Sequence, residues 1–205
     1  MPSMTKQAIR KADQFHDTTL LLRTAKLIAD GTEHLCILRR VSGTGVTVQL
    51  FQSRPKATTF AIEMINGTQC PLEPDYWVGA YEAFRIPKDI DPRALRDMLE
   101  ANDHRHEIRL NQALEGKLSV DGKAHAIKFT NISQQGACIA CDNQLKLDQL
   151  VKIETKTLPD IPAKVRWRQN GRYGLIFEQT FRFDELARRL APDSWPSSPG
   201  NASVH

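Results

Sequence analysis

Long hydrophobic runs are missing from this sequence. Nothing in it approaches the roughly 18 to 20 consecutive apolar residues that carry a helix across a bilayer, and its start, MPSMTKQAIRKADQFHD, lacks the apolar stretch of a secretory signal. The expectation is a cytoplasmic protein with no membrane insertion. Aromatic residues are few, with three Trp and three Tyr, and along the sequence none forms an evident stacking platform. That counts against a small basic barrel binding RNA or single-stranded DNA. The formal charge is only +4 and the basic residues are distributed along the chain; a small dianionic ligand suits this charge as well as a polyanion does.

Cysteine is scarce and placed for burial. Cys36, Cys70, Cys138 and Cys141 sit in apolar runs rather than in a disulfide framework, which fits a reducing compartment. Cys138 and Cys141 form a C-x-x-C without a second pair, and three residues apart on a strand they face opposite ways. They read as small strand residues. His104 and His106 share a face of an extended segment but find no third ligand, so they read as linker residues. With no nucleophile–base pair, Walker-type loop or paired-carboxylate motif, the sequence gives no support to catalysis or to a cofactor.

What is present is an ordinary globular composition, 40% hydrophobic and 25% charged, arranged as strands. TLLLRTAKLIAD, HLCILRRV, GVTVQLF, TTFAIEMI and DYWVGAYEAFRI follow one another, the first three separated by D-G-T and S-G-T-G turn signals. The period then changes: Asp91 and Pro92 open a helix with Leu95, Met98 and Leu99 at helical spacing. Strands resume with RLNQALEGKLSV, AHAIKFTNI, GACIAC, LVKIET, IPAKVRWR and YGLIFEQ, and a second short helix is expected from Asp184 to Leu190. The last residues, APDSWPSSPGNASVH, have a disordered composition.

Two cycles of short strands ending in a helix predict a mainly β protein of two small consecutive barrels. The cycles repeat internally. Ser42 and Gly45 match Ser133 and Gly136, and the next tryptophans, Trp77 and Trp167, lie 35 and 34 residues beyond those serines. Each tryptophan precedes a strand ending near a phenylalanine, Phe84 or Phe177.

The second cycle opens with Arg105-His-Glu-Ile-Arg109 and continues, one strand pair later, with Asn131-Ile-Ser133-Gln-Gln-Gly136. These R-x-x-x-R and N-x-S-x-x-G signatures, with VRWRQNGRYGLIFEQ behind them, resemble the PilZ family. The likeness is close over residues 103–190 and only in outline over 18–100. It implies a receptor for cyclic di-GMP and not an enzyme, with Arg105, Arg109, Asn131, Ser133 and Gly136 at the ligand and Trp167 and Arg172 at its border.

The chemistry fits. A guanidinium presents paired donors to guanine O6 and N7 and makes charge-assisted contacts to phosphate. Asn131 offers an amide oxygen to a guanine N–H, Ser133 accepts or donates, and Gly136 allows a backbone that other residues resist.

In the first cycle Arg40 replaces Asn131, a donor in place of an acceptor, and Arg23-Thr-Ala-Lys26 lacks the spacing of the arginine pair. That cycle resembles degenerate PilZ domains, for which interaction with a partner or with the neighbouring domain is the natural alternative to ligand binding. The expected division is an extension at 1–17, a degenerate PilZ-like domain at 18–101, a cyclic di-GMP-binding PilZ domain at 102–191 and a tail at 192–205. The rival readings are a ligand-independent interaction adaptor and a nucleic-acid-binding barrel. Arg105 and Arg109, lying in the connection between domains, are expected to order it when ligand binds and so relay the signal.

Overall fold

The computed structural model describes residues 19–90 and 107–191. The expected first helix, the domain boundary near residue 101, Arg105 with its flanking histidines, and both ends of the chain lie outside them.

The first half forms β1 (Thr19–Ala29), β2 (Thr32–Val41), β3 (Gly45–Leu50), β4 (Phe60–Glu63), β5 (Gln69–Val78) and β6 (Tyr81–Arg85), closed in the order β1-β2-β3-β6-β5-β4. The second half forms β7 (Glu115–Val120), β8 (Lys123–Ile132), β9 (Gly136–Ala140), β10 (Leu150–Thr155), β11 (Ile161–Gln169) and β12 (Arg172–Phe177), closed in the order β10-β11-β12-β9-β8-β7. Read around the ring these are one topology, and every neighbouring pair is antiparallel. Closure leaves neither barrel a free sheet edge. A short helix, α1 (Phe183–Arg189), follows β12, with Asp184 and Glu185 in its first turn and Arg188 and Arg189 in its last, each sign complementing the helix dipole.

Tight turns set the registers. Asp30-Gly31, Asp121-Gly122 and Asn170-Gly171 all adopt positive φ, the backbone that two-residue hairpin turns require. Alternation then sends Leu27, Leu38, Val48, Ile62 and Phe84 into the first core and Leu118, Ile127, Ile139, Ile153 and Val165 into the second. β5 was not foreseen over its full length, because Pro71 and Pro74 argue against a paired strand; both nonetheless sit in its ladders, opposite Ala61 and Phe84. The strand expected from Arg109 is shorter than its apolar pattern, since before β7 only Leu110 bridges β8, at Ile132.

The registers repeat without a gap. The pair Thr19–Val41 recurs as Leu110–Ile132, and Pro74–Phe84 recurs as Val165–Leu175, each 91 positions further on (110 − 19 and 175 − 84). The bulge between Leu38 and Arg40 likewise recurs between Phe129 and Asn131. This corrects two matches drawn from sequence: the counterpart of Trp167 is Tyr76 rather than Trp77, and that of Phe84 is Leu175 rather than Phe177. The bulges recur at equivalent places, so one offset holds throughout, and pairing like aromatic with like aromatic departs from it by one or two residues.

The barrels share an apolar joint. Leu35 of β2 is buried in the second barrel's core cluster, and Phe51 and Ile65 pack against that cluster from the first barrel. Phe51 meets Phe183 edge to face at 5.8 Å.

Candidate functional site

Asn131 on β8 stands opposite Cys138 on β9, which stands opposite Gly174 on β12, which stands opposite Trp167 on β11. Opposed residues share a face, so the four form one row across the outside of the second barrel, roughly 14 Å long at ordinary strand spacing. Cys138 is buried yet outside the apolar core cluster, whereas Cys141 belongs to that cluster. Arg172, two residues before Gly174 on β12, lies exposed on the same outer face. Gly174 holds the row flat: a Cβ there would lie 1.9 Å from Trp167 Nε1, so the indole crosses the strand where no side chain stands. Sequence reasoning passed over Gly174, although a glycine inside a strand signals such close approach.

Arg109 reaches this row. Its Nη1 donates to Asn131 Oδ1 at 2.9 Å, joining the two sequence signatures on one surface. The arginine is exposed while its neighbours Ile108 and Leu110 are buried. Leu110 exchanges two 2.9 Å backbone hydrogen bonds with Ile132.

Immediately downstream, Asn111 donates from its backbone N to Glu33 Oε2 at 2.7 Å and from Nδ2 to Glu33 Oε1 at 2.8 Å. Glu33 belongs to the first barrel and is held by Lys26 Nζ at 3.0 Å. Lys26, whose side chain is only 5% exposed, also meets Glu63 at 2.6 Å, so its buried charge is paired twice. The first barrel thus grips the segment that carries Arg109. Nothing in local sequence signals this contact across 78 positions.

Ser133 and Gly136 are built into the turn behind the row. Ser133 Oγ donates to the Gly136 carbonyl at 3.1 Å, and the residue is 1% exposed. Gly136 does not adopt positive φ, which corrects the expected reason for a glycine: an added Cβ would meet the Leu175 carbonyl oxygen at 2.3 Å. Gly45 is under the same constraint, 2.4 Å from the Phe84 carbonyl, and Ser42 Oγ donates to Gly45 O at 3.2 Å. S-x-x-G is therefore the staple of a close strand approach in both barrels.

The corresponding row of the first barrel is Arg40, Thr47, Ala83 and Tyr76, which places Arg40 at the position of Asn131, as the sequence motif indicated. The counterpart of Arg23 is Leu114. By the same count the positions of Arg105 and Arg109 hold Gln14 and Thr18, neither of them cationic.

Among the described residues no cluster of His, Cys, Asp and Glu is arranged to hold a metal ion. Nor, among those residues, is any helix long and apolar enough to cross a membrane. All four cysteines are free and buried, and burial pushes the Cys36 thiol up to about 12.

Residues 103–190 match the family model described as PilZ domain. No curated protein matches the chain. Among solved structures the chain is similar to the Borreliella burgdorferi PlzA protein in complex with c-di-GMP, at 10% identity over 91% of this chain and 98% of that one, with a TM-score of 0.35. It is also similar to Escherichia coli YcgR in complex with c-di-GMP, at 10% identity over 82% and 80% with a TM-score of 0.35. A third is the Bacillus subtilis inhibitor of motility MotI/DgrA, at 12% identity over 82% and 93%, again with a TM-score of 0.35.

Proposed function

Because residues 103–190 are a PilZ domain, we propose that this chain is a cyclic di-GMP receptor that binds the dinucleotide on the outer face of its second barrel and passes the response on through its first. The observation that carries the reading is the Arg109–Asn131 hydrogen bond at 2.9 Å. It brings a guanidinium, which suits guanine edges and phosphate, to an amide that still offers a second lone pair and two N–H donors. Arg105, one R-x-x-x-R step upstream, supplies the second guanidinium. Trp167 and Arg172 bound the far side of the row with a flat apolar ring and a further cation. Ser133 and Gly136 serve the site by holding the turn that presents Asn131.

The role is that of a receptor and not of an enzyme. The link to the first barrel is the Glu33 grip on Asn111: a ligand that fixes Arg109 also fixes the residue two positions on, and such coupling is reciprocal. The response travels from that grip to a protein partner of the first domain.

Calorimetric titration with cyclic di-GMP, beside GTP as a control, tests the reading. Saturable binding of the dinucleotide alone is expected. Arg105→Ala and Arg109→Ala should each weaken it by about 1.5 to 3 kcal/mol, roughly 10- to 150-fold. A folded protein that gives no heat with the dinucleotide would leave the adaptor reading in its place.

A further inference from the structure

On the first barrel the face equivalent to the nucleotide row carries different chemistry. Arg40, exposed, begins a row that runs through the small residues Thr47 and Ala83 to Tyr76. One level along the same strands, Gln49 stands opposite Tyr81, which is 42% exposed and stands opposite Val78. Arg39, the extra residue of the bulge, lies with its guanidinium carbon 5.8 Å from the Tyr81 ring centroid and its Nη2 3.5 Å from the Tyr81 hydroxyl. Arg40 has no ion-pair partner among the described residues. Two tyrosines and two arginines, scattered over more than 40 positions of sequence, thus meet on one outer surface.

From this geometry we infer that the outer face of β2, β3, β6 and β5 binds single-stranded nucleic acid. Tyr76 and Tyr81 are diagonal neighbours across β5 and β6, at positions roughly 7 to 8 Å apart. Each offers a ring face to one base, and base-on-ring stacking needs bases that are not already paired in a duplex. Arg39 and Arg40, on the neighbouring edge, supply the charge that tracks the phosphates. Small Thr47 and Ala83 keep the ground between rings and guanidiniums low, so an extended strand lies across it.

Two carboxylates temper the surface. Glu73 is drawn to Arg85 at 3.8 Å, and Asp75 sits beside Tyr76, where burial first and the aspartate second raise the phenol's pKa. The second barrel lacks this aromatic pair, since Trp167 and Arg172 stand where Tyr76 and Tyr81 do. The inference concerns the first barrel alone and does not depend on what the second one binds.

Fluorescence anisotropy of the full chain tests it, using labelled oligothymidine and oligouridine of about 15 nucleotides in about 50 mM salt, with a duplex of equal length as control. Both single strands should bind more tightly than the duplex. Tyr81→Leu and Tyr76→Leu should each weaken binding about 5- to 100-fold without changing its salt dependence. Arg39→Gln with Arg40→Gln should flatten the slope of log affinity against log salt by about 1.4, and Asp75→Asn should tighten binding.

Thermal melting checks that each variant folds. The exposed Tyr81 and Arg40 positions keep the test decisive if Tyr76→Leu does not fold. Absence of binding by the unaltered chain overturns the inference. So does binding that survives these changes but is lost with Arg109→Ala, which would put the strand on the second barrel. Loss of cyclic di-GMP binding in the Tyr81 and Arg40 variants overturns it too, by making the face a dinucleotide site.

Discussion

Across the first barrel the outer row reads Arg40, Thr47, Ala83 and Tyr76; across the second it reads Asn131, Cys138, Gly174 and Trp167. Behind both rows the serine and glycine of S-x-x-G make the same contacts to within about a tenth of an ångström. The comparison divides the family motif. Its serine and glycine serve the fold, because a barrel without the arginine pair keeps them. Its first residue is where the barrels part, and the ligand contact proposed for Asn131 rests on that position.

A second difference lies at the barrel ends. Tyr173 donates its hydroxyl to Asn143 O at 3.0 Å and accepts from Leu145 N at 3.5 Å, fastening the loop between β9 and β10. At the equivalent positions the first barrel has Glu82 and Arg54, paired at 2.6 Å. The Glu82 side chain is 2% exposed, its Oε2 has no hydrogen-bond partner among the described residues, and burial raises its pKa. One barrel closes its loop with a satisfied phenol, the other with a charge pair whose buried carboxylate is half satisfied among the described residues.

The sharpest way to break the comparison is at the shared joint. Leu35 is a first-barrel residue by sequence and a second-barrel residue by packing, so Leu35→Ala should destabilise the chain by about 2 to 5 kcal/mol and shift the melting of both barrels. Calorimetry in which only one transition moves would show the barrels to be independent. Arg54→Ala should come next, at about 3 kcal/mol, because it leaves a buried carboxylate unpaired. Glu82→Gln in the same background should recover much of that loss in a denaturant titration.

Exchanging the first motif residue sharpens the contrast in binding. Asn131→Arg should remove the partner of Arg109, set two cations side by side and weaken cyclic di-GMP binding at least tenfold, about 1.4 kcal/mol. The reverse change, Arg40→Asn, should create no second site, since by sequence offset the first cycle has Gln14 and Thr18 in place of the two arginines; calorimetric stoichiometry reads this directly.

The smallest effect should come from acid. Asp30 accepts hydrogen bonds from the backbone N of Thr59 at 2.8 Å and of Thr58 at 3.1 Å, which lower its pKa to about 2 from 3.8. A carboxylate depressed on folding contributes stability above its unfolded pKa, and that contribution is lost as pH falls from near 4 towards 2. An Asp30→Ala variant should therefore show a slightly shallower decline of stability over that range, read by denaturant titration at each pH.

Much of this was legible in the sequence. The D-G and N-G turns, the alternating strands and the serine–glycine repeat lead to two barrels, and the motif residues lead to Arg109 beside Asn131. What escaped was non-local or masked by composition. The prolines of β5 concealed a strand, and pairing tryptophan with tryptophan hid the equal spacing by which Tyr76 lies 34 positions after Ser42 just as Trp167 does after Ser133. Glu33 meeting Asn111, and Tyr81 meeting Arg39, are products of closure that no window of sequence contains.

The joint between the barrels is also head to tail: the start of β2 in one unit meets the strand-entry segment of the next. A contact of that kind has no internal reason to stop at two, and repeated it would string units into a fibre. The second barrel does not carry the same groups. Where the first offers Glu33 and Leu35, the second has Ala124 and Ala126, both exposed, too short to grip or plug a following unit. In the first barrel the counterpart of Asn111 is Leu20, which is 72% exposed among the described residues. Two alanines thus withhold from the second barrel the groups by which the first holds its neighbour.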